Sequence, residues 1–390
     1  MKEGWTYKKL GEVSSFQNGF AFKSNLFRKE GCPIVRISNI QNEEVQTDDI
    51  VYFNKEDYPV NFDNYKIIPN DILIAMSGGT TGKLGINTTN TIFYQNQRVG
   101  VIREDKKTLN HRFLFYFLHT KSEESLKIAA GAAQPNLSTA QIKDFIIPLP
   151  PLSEQQSIVE YLDSASAKID AMKANAEKAL NEAKALFQAS LKKMLEPKKG
   201  VKWSTIGDLF DTYSGGTPTK SNKEYYEGGL IPWLRSGEVC QKEINKTEMF
   251  ITEKGLKESS AKYYPENTVV VAMYGATAAQ VGILRIKATS NQAVCGILPH
   301  KDFLPEFVYY WFSSIEDKLA AQAQGGAQPN ISQQKIKKVE IPIYSITEQQ
   351  SIVATLDSLK SKVDRLQENF NKISQECDAL KQAILRQVFE

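Results

Sequence analysis

Apolar residues fall at Leu356, Leu359, Val363, Leu366, Phe370, Ile373, Cys377, Leu380 and Ile384, in unbroken steps of three and four. That is the seam of a coiled-coil helix. Thr347 with Gln350 reads as a capping box, and Pro342 just upstream blocks an earlier helical turn. The pattern predicts a helix over 347–390. It occurs again 194 residues earlier, where Ser153-Glu-Gln-Gln156 follows Pro151 and opens a helix over 153–196. Carried back by the same offset, the seam becomes Leu162, Ala165, Ile169, Met172, Ala176, Ala179, Ala183, Leu186 and Ser190. One stripe is bulky and the other small. An alanine-rich seam buries too little area to hold a copy of itself strongly. The two stripes are therefore predicted to pair with each other, antiparallel, with Leu162 facing Ile384 at full overlap.

The segments in front of the two helices are also related. Trp5 answers Trp203, Lys23-Ser-Asn25 answers Lys220-Ser-Asn222, and Ala75-Met76-Ser77-Gly78 answers Ala272-Met273-Tyr274-Gly275. Asn96-Gln97 answers Asn291-Gln292, and Gln134-Pro-Asn136 answers Gln328-Pro-Asn330. The register drifts in the front parts, as loop insertions would make it, and locks at 194 from Phe113 and Phe307 onward. Residues 34–40, 71–78 and 84–89 are β-branched runs bounded by Gly, Asn and Thr, and so are 230–239, 267–276 and 281–286. Residues 111–130 and 305–323 read as helical, with Asn136-Leu-Ser138 and Asn330-Ile-Ser332 opening a further short turn. The fold class is α/β. Two tandem mixed α/β domains, 1–152 and 197–346, alternate with two long helices, 153–196 and 347–390, that pair as an antiparallel coiled coil. A duplicated chain of this kind predicts a pseudo-two-fold object whose ligand also has two parts.

Composition narrows the class. A chain of 390 residues that is 41% hydrophobic can bury more than one core. No run of 18 apolar residues exists, and the opening MKEGWTYKKLGEV has no apolar signal core. A cytoplasmic protein with no membrane partner is therefore expected. The four cysteines (Cys32, Cys240, Cys295 and Cys377) form no CxxC pair, which points away from structural zinc and towards a reducing compartment. The net charge of +3 is unevenly spread. Residues 1–152 carry 18 Lys/Arg against 16 Asp/Glu, and 197–346 carry 18 against 15, whereas each helix carries 6 against 7. The positive excess lies in the front domains, as nucleic-acid contact there would require.

Several motifs can be weighed on their chemistry. Gly78-Gly-Thr-Thr-Gly-Lys83 looks like part of a phosphate loop. However, Ser77 stands where a glycine is needed, and Leu84 follows the lysine in place of Ser or Thr. His111, His119 and His300 have no repeated partners, no metal-ligand spacing occurs, and no Asp/Asn-Pro-Pro-aromatic methyl-transfer motif is present. An enzyme with an unrecognised site, and a coiled-coil scaffold whose front domains bind proteins, are the alternatives that remain. Candidates for DNA contact lie near strand ends and glycine turns. They are Lys23, Arg28, Lys29, Arg36, Ser77, Thr80, Lys83 and Arg98 in the first half, and Lys220, Lys223, Arg235, Tyr274, Thr277 and Gln280 in the second. Positions that differ between halves, such as Ser77 against Tyr274 or Lys83 against Gln280, suit the reading of different bases. Positions kept in both halves are turn and cap residues or a docking surface for two copies of one partner. These are Gln134, Asn136, Glu154 and Gln155, with Gln328, Asn330, Glu348 and Gln349.

The doubled Gln-Pro-Asn-(Leu/Ile)-Ser, Ile-Pro and (Ser/Thr)-Glu-Gln-Gln-Ser-Ile-Val…Leu-Asp runs, ending at Asp163 and Asp357, resemble the specificity (S) subunits of Type I restriction–modification systems over essentially the whole chain. Trp5…Leu10-Gly11-Glu12 and Trp203…Gly207-Asp208-Leu209 fit the same family. The resemblance implies two target recognition domains, each reading one half of an asymmetric bipartite site in double-stranded DNA. It implies helices that space the domains and dock two methyltransferase (M) subunits, with restriction (R) subunits joining the full complex. S-adenosylmethionine, ATP and Mg²⁺ would then belong to the partners, and this chain alone would be non-catalytic.

Overall fold

A computed structural model of the chain describes residues 4–130, 136–196, 198–323 and 330–390. Both long helices form, as Leu152–Leu195 and Ile346–Phe389, each 44 residues without a break. Contacts divide the chain into two units, Met1–Ala176 with Asn371–Glu390, and Glu177–Phe370. Each unit thus contains one mixed α/β domain, the start of the helix that follows it, and the far end of the other helix.

The two domains share one topology. In the first, a six-stranded sheet runs Ser14–Asn18, Val99–Glu104, Ile72–Ala75, Leu84–Ile86, Glu44–Val45, Ile40–Gln41. In the second, Thr212–Ser214, Val294–Ile297, Val269–Ala272, Val281–Leu284 and Glu243–Ile244 follow the same order. A smaller sheet centres on Cys32–Val35 in one domain and on Ile231–Leu234 in the other. A two-stranded ribbon joins Thr6–Lys9 to Ile146–Leu149, and Lys202–Thr205 to Glu340–Ile343. Trp203 lies in the first strand of its ribbon, paired with Pro342, and Trp5 stands one residue before the first strand of the other. The segments expected to be helical at 111–130 and 305–323 each form two helices, His111–Thr120 with Ser122–Ala130 and Pro305–Ser314 with Glu316–Ala323.

Within each unit the two long helices run antiparallel. In the first, Lys381 reaches Asp170 at 2.6 Å and Lys173 reaches Asp378 at 3.3 Å, so the numbering rises on one helix as it falls on the other. Leu162 is buried with Leu385, and Ile384 packs beside them. In the second unit Lys184 donates to Gln367 at 2.8 Å, and Leu191 shares a buried cluster with Ile352 and Leu356. The seam of the first helix departs from expectation. Met172 and Leu186 are 58% and 61% exposed, and the inward stripe passes through Ile169, Lys173, Ala176, Leu180, Ala183, Phe187 and Leu191. A fixed offset from the second helix missed this stripe, although its steps of four and three are visible in the first helix itself. Leu380 also faces outward, because the second seam takes two steps of four, from Cys377 to Lys381 to Leu385. That rotation brings the last turn onto the first domain, where Phe389 lies 4.9 Å from the Phe113 ring.

The helix starts also differ from the expected capping boxes. Helix begins at Leu152 and Ile346, so Ser153 and Thr347 already lie inside it. In the second helix the cap is Ser345, whose hydroxyl accepts from the Glu348 N–H at 3.3 Å while the Glu348 carboxylate accepts from the Ser345 N–H at 3.0 Å. The Ser345 hydroxyl, which also donates to the carboxylate at 2.8 Å, and then the Ser345 N–H hold the Glu348 carboxyl below its usual range. Pro151 stands at the matching place in the first helix and has no side chain able to cap, and Glu154 instead accepts the Trp5 indole N–H at 3.0 Å.

The middle glutamine of each Glu-Gln-Gln run is a structural latch. Gln155 is fully buried, accepts from the Asn110 N–H at 2.8 Å, and donates to the carbonyls of Thr108 at 3.0 Å and Pro150 at 2.9 Å. Gln349 repeats all three bonds, with the Leu304 N–H and the carbonyls of Asp302 and Tyr344. This corrects the docking assignment for Gln155 and Gln349, since a buried and saturated amide has nothing to offer a partner. Gln155→Leu would strand one amide and two carbonyls away from water. We expect it to cost about 2–3 kcal/mol, read as a lowered denaturant midpoint at an unchanged slope.

Two turns further along each helix, an aspartate is clamped by the domain. Asp163 accepts from Arg112 at 2.8 Å and from the Tyr116 hydroxyl, and Asp357 accepts from Lys242 and the Tyr310 hydroxyl. Burial together with the Asp163 bond pushes the Tyr116 phenol up to about 12. The sequence marked these aspartates only as register points.

Candidate nucleic-acid interface

The glycine loop after the central strand is built the same way in both domains. The Met76 N–H donates to the Arg98 carbonyl at 2.9 Å, Leu137 N–H to Met76 at 2.8 Å, Gly82 N–H to Ala75 at 2.8 Å, and Ala75 N–H to Lys83 at 2.8 Å. All four bonds recur, as Met273 to Ala293, Ile331 to Met273, Ala279 to Ala272 and Ala272 to Gln280. The loop needs two left-handed residues. Gly78 and Gly82 supply them at φ 72° and 84°, and Gly275 does so at φ 78°. The fourth is Ala279, held at φ 76°, a conformation that L-residues with a Cβ disfavour. In both domains the loop leads into a strand, Leu84–Ile86 or Val281–Leu284. It therefore lacks the helix N-terminus on which a phosphate cradle depends, and these residues do not fit a nucleotide.

This shared backbone carries different side chains. Ser77 is only 4% exposed and its hydroxyl has no hydrogen-bond partner, whereas its counterpart Tyr274 is 37% exposed. Ser77 is thus removed from the set that can reach a ligand, and Tyr274 stays in it. Thr80 and Thr277 sit half-buried at the turn, Lys83 is exposed, and Gln280 is half-buried with an unpartnered carbonyl oxygen. Arg98 is exposed beside the loop through its carbonyl bond to Met76. Asn136 and Asn330 are exposed and bridge to Ser77 and Tyr274, so these two asparagines border the loop in both halves. Gln134 and Gln328 lie outside the described residues.

The remaining cations fall into two kinds. Lys23 and Lys29 are exposed, and with Lys83, Arg98 and Lys220 they have no ion-pair partner among the described residues. Arg28 is engaged bidentately by Asp57, at 2.9 and 3.1 Å. Arg36 is half-buried and donates to the Asp49 carbonyl at 2.8 Å. Arg235, its counterpart, pairs with Glu238 and Glu248, and Lys223 lies 3.8 Å from Glu227. Nevertheless Lys220, Lys223 and Arg235 line one pocket of about 470 Å³ with Trp233, Asn291 and Gln292. The sequence had not brought Asn291 and Gln292 into the site, although their repeat of Asn96-Gln97 was a usable signal. In the first domain the same region is filled by rings. Phe20 stands where the second domain has Gly216, and packs 5.0 Å from Phe22, which lies 4.6 Å from Phe53. Close approach is obligatory beneath both: a Cβ on Gly19 would meet the Asn96 carbonyl oxygen at 2.0 Å, and one on Gly215 the Ser290 oxygen at 2.2 Å.

The model of the Type I restriction modification DNA specificity domain matches the chain twice, over residues 2–182 and 198–375. The chain belongs to this family. It is 30% identical over 277 residues to the specificity subunit of the Type I restriction enzyme EcoR124I/EcoR124II of Escherichia coli, covering 68% of this chain and 67% of that one. It is 26% identical to the EcoBI specificity subunit, also of E. coli, over 99% of this chain and 86% of that one. A solved chain from work on complex assembly and conformational transition of the type I R-M system matches in fold at a TM-score of 0.78, with 19% identity over 100% of this chain and 98% of that one. Each match covers one mixed α/β domain and runs into the long helix that follows it, ending at residues 182 and 375. Among the described residues, no helix is long and apolar enough to cross a membrane, and no cluster of three or more His, Cys, Asp or Glu could hold a metal.

Proposed function

We propose that this Type I specificity subunit reads an asymmetric, two-part site in double-stranded DNA, each recognition domain taking one half. One observation carries the reading: two glycine loops with the same four backbone bonds carry different side chains, exposed Lys83 against half-buried Gln280, and Tyr274 projecting where Ser77 is buried. A common scaffold sets the approach to the groove, and the side chains that differ set the sequence read. Lys23, Lys29, Lys83, Arg98 and Lys220 supply phosphate contacts. The exposed helix starts around Glu154 and Glu348 dock two methyltransferase subunits, and restriction subunits join the larger complex. S-adenosylmethionine, ATP and Mg²⁺ act in those partners, this chain contributes no catalytic group, and the assembly works in the cytoplasm.

Salt titration of DNA binding tests this. For the chain with its methyltransferase partner on a duplex bearing the methylated site, log K should fall steeply with log salt. Lys83→Ala, Arg98→Ala and Lys220→Ala should each reduce that slope by about 0.9. Slopes that do not change in the triple variant would remove these residues from the interface. Binding that does not depend on salt would favour a protein-binding scaffold.

A further inference from the structure

The two aspartate clamps use the same anion on the helix but take their cation from different places. In the first unit the cation is Arg112, which donates to Asp163 at 2.8 Å. Its counterpart 194 residues on is Glu306, which has the opposite charge. In the second unit the cation on Asp357 is Lys242. The counterpart of Lys242 is Glu43, fixed by structure: the Ile86 N–H donates to the Glu43 carbonyl at 2.9 Å, and the equivalent Ile283 N–H donates to Lys242 at 2.8 Å. So one domain carries Glu43 with Arg112 and the other carries Lys242 with Glu306. Both charges are reversed together. Glu306 is itself drawn off by Arg285 at 2.5 Å, while Glu43 stands 3.5 Å from His119. The tyrosine and the aspartate stay constant.

Two opposite reversals that preserve one cation on each aspartate are what compensation produces. A lone change at either position would set a carboxylate beside Asp163 with nothing to balance it, or crowd two cations there. Space allows the exchange in the first unit, because Glu43, Arg112, Tyr116 and Asp163 line one cavity of about 300 Å³. The Asp163 carboxyl is partly buried, which opposes its charge, yet the bonds from Arg112 and Tyr116 hold it below the usual range.

We propose that these clamps are positioning contacts that set how each recognition domain is held on its helix, and that positions 43 and 112 are a charge-exchanged equivalent of positions 242 and 306. For the DNA consequence, the proposal rests on the reading above. A domain held less firmly should tolerate sites whose two halves lie slightly closer or further apart.

The test uses the full chain and a pair of variants. Arg112→Glu should lower its melting temperature by about 3–6 °C, and Arg112→Gln by less. Adding Glu43→Lys to Arg112→Glu should recover most of that loss. With the methyltransferase partner bound, mapping of methylated sites should show a gap relaxed by one base pair for Arg112→Glu and a single gap again for the double variant. A double variant that melts as low as Arg112→Glu would overturn the exchange. A lowered melting temperature with an unchanged gap would leave the clamp as a stability contact and overturn its positioning role. If the wild-type complex methylates no two-part site, the DNA reading fails, and the melting data still decide the exchange.

Discussion

Replacing the first recognition domain with that of another specificity subunit should change one half of the methylated site completely and leave the other half as it was. The expectation follows from the separate cores. Phe113, Leu114 and Ile147 belong to one cluster, Phe307, Val308 and Ile341 to another. The graft cannot simply stop at residue 152, because the unit also includes Asn371–Glu390. Phe389 packs on Phe113 and Phe117, and Arg386 reaches Glu123 at 3.2 Å. A donor domain must therefore keep these contacts, or bring its own last helical turns with it. Single-molecule sequencing of DNA methylated by the chimeric complex gives the readout. A change in both halves would show that the two domains do not read independently, and would remove the modular reading.

The sequence made some levels of this structure legible and hid others, for physical reasons. The long helices were plain because an unbroken seam from Leu356 to Ile384 leaves no competing period. Their pairing direction followed from the duplication, and Lys381 with Asp170 bears it out within the first unit. Individual seam residues were less secure. A helix seam is fixed only to within one position, and Met172 and Leu186 lost to Lys173 and Phe187 once the partner helix was present. In the Glu-Gln-Gln run, Glu154 and Glu348 are exposed as expected, but the middle glutamine, expected on the surface, lies inside. Glutamine usually faces water, and nothing local showed that Gln155 would saturate three backbone groups from residues 108, 110 and 150. The loop candidates were legible as a group because glycine spacing marks a turn. Which of their side chains project was not, because Ser77 and Tyr274 share a backbone and differ only in what surrounds them. Asp163 and Asp357 show the converse case. Strict register made them visible, yet their role depends on cations supplied from unrelated positions, 112 in one half and 242 in the other.

Lengthening both long helices by four residues should lengthen the gap in the methylated site by one or two base pairs, with both half-sites unchanged. Four residues add about 6 Å of helix, a little over one turn, so side chains beyond the insertion keep roughly the same face. At about 3.4 Å per base pair, 6 Å corresponds to nearly two steps of DNA. The insertion must be made in both helices, after Ala176 and after Phe370. The pairing is antiparallel in each unit, through Lys173 with Asp378 on one side and Lys184 with Gln367 on the other. Lengthening one helix alone would put one of these registers out of step and bring exposed residues such as Ala179 into the seam. The matched insertion leaves each unit's own contacts intact, including the Gln155 and Gln349 latches and the two aspartate clamps. Its effect should therefore fall on spacing and spare half-site identity. Methylation mapping of the variant complex decides the matter. Full activity at an unchanged gap would mean that something other than helix length sets the distance between the half-sites.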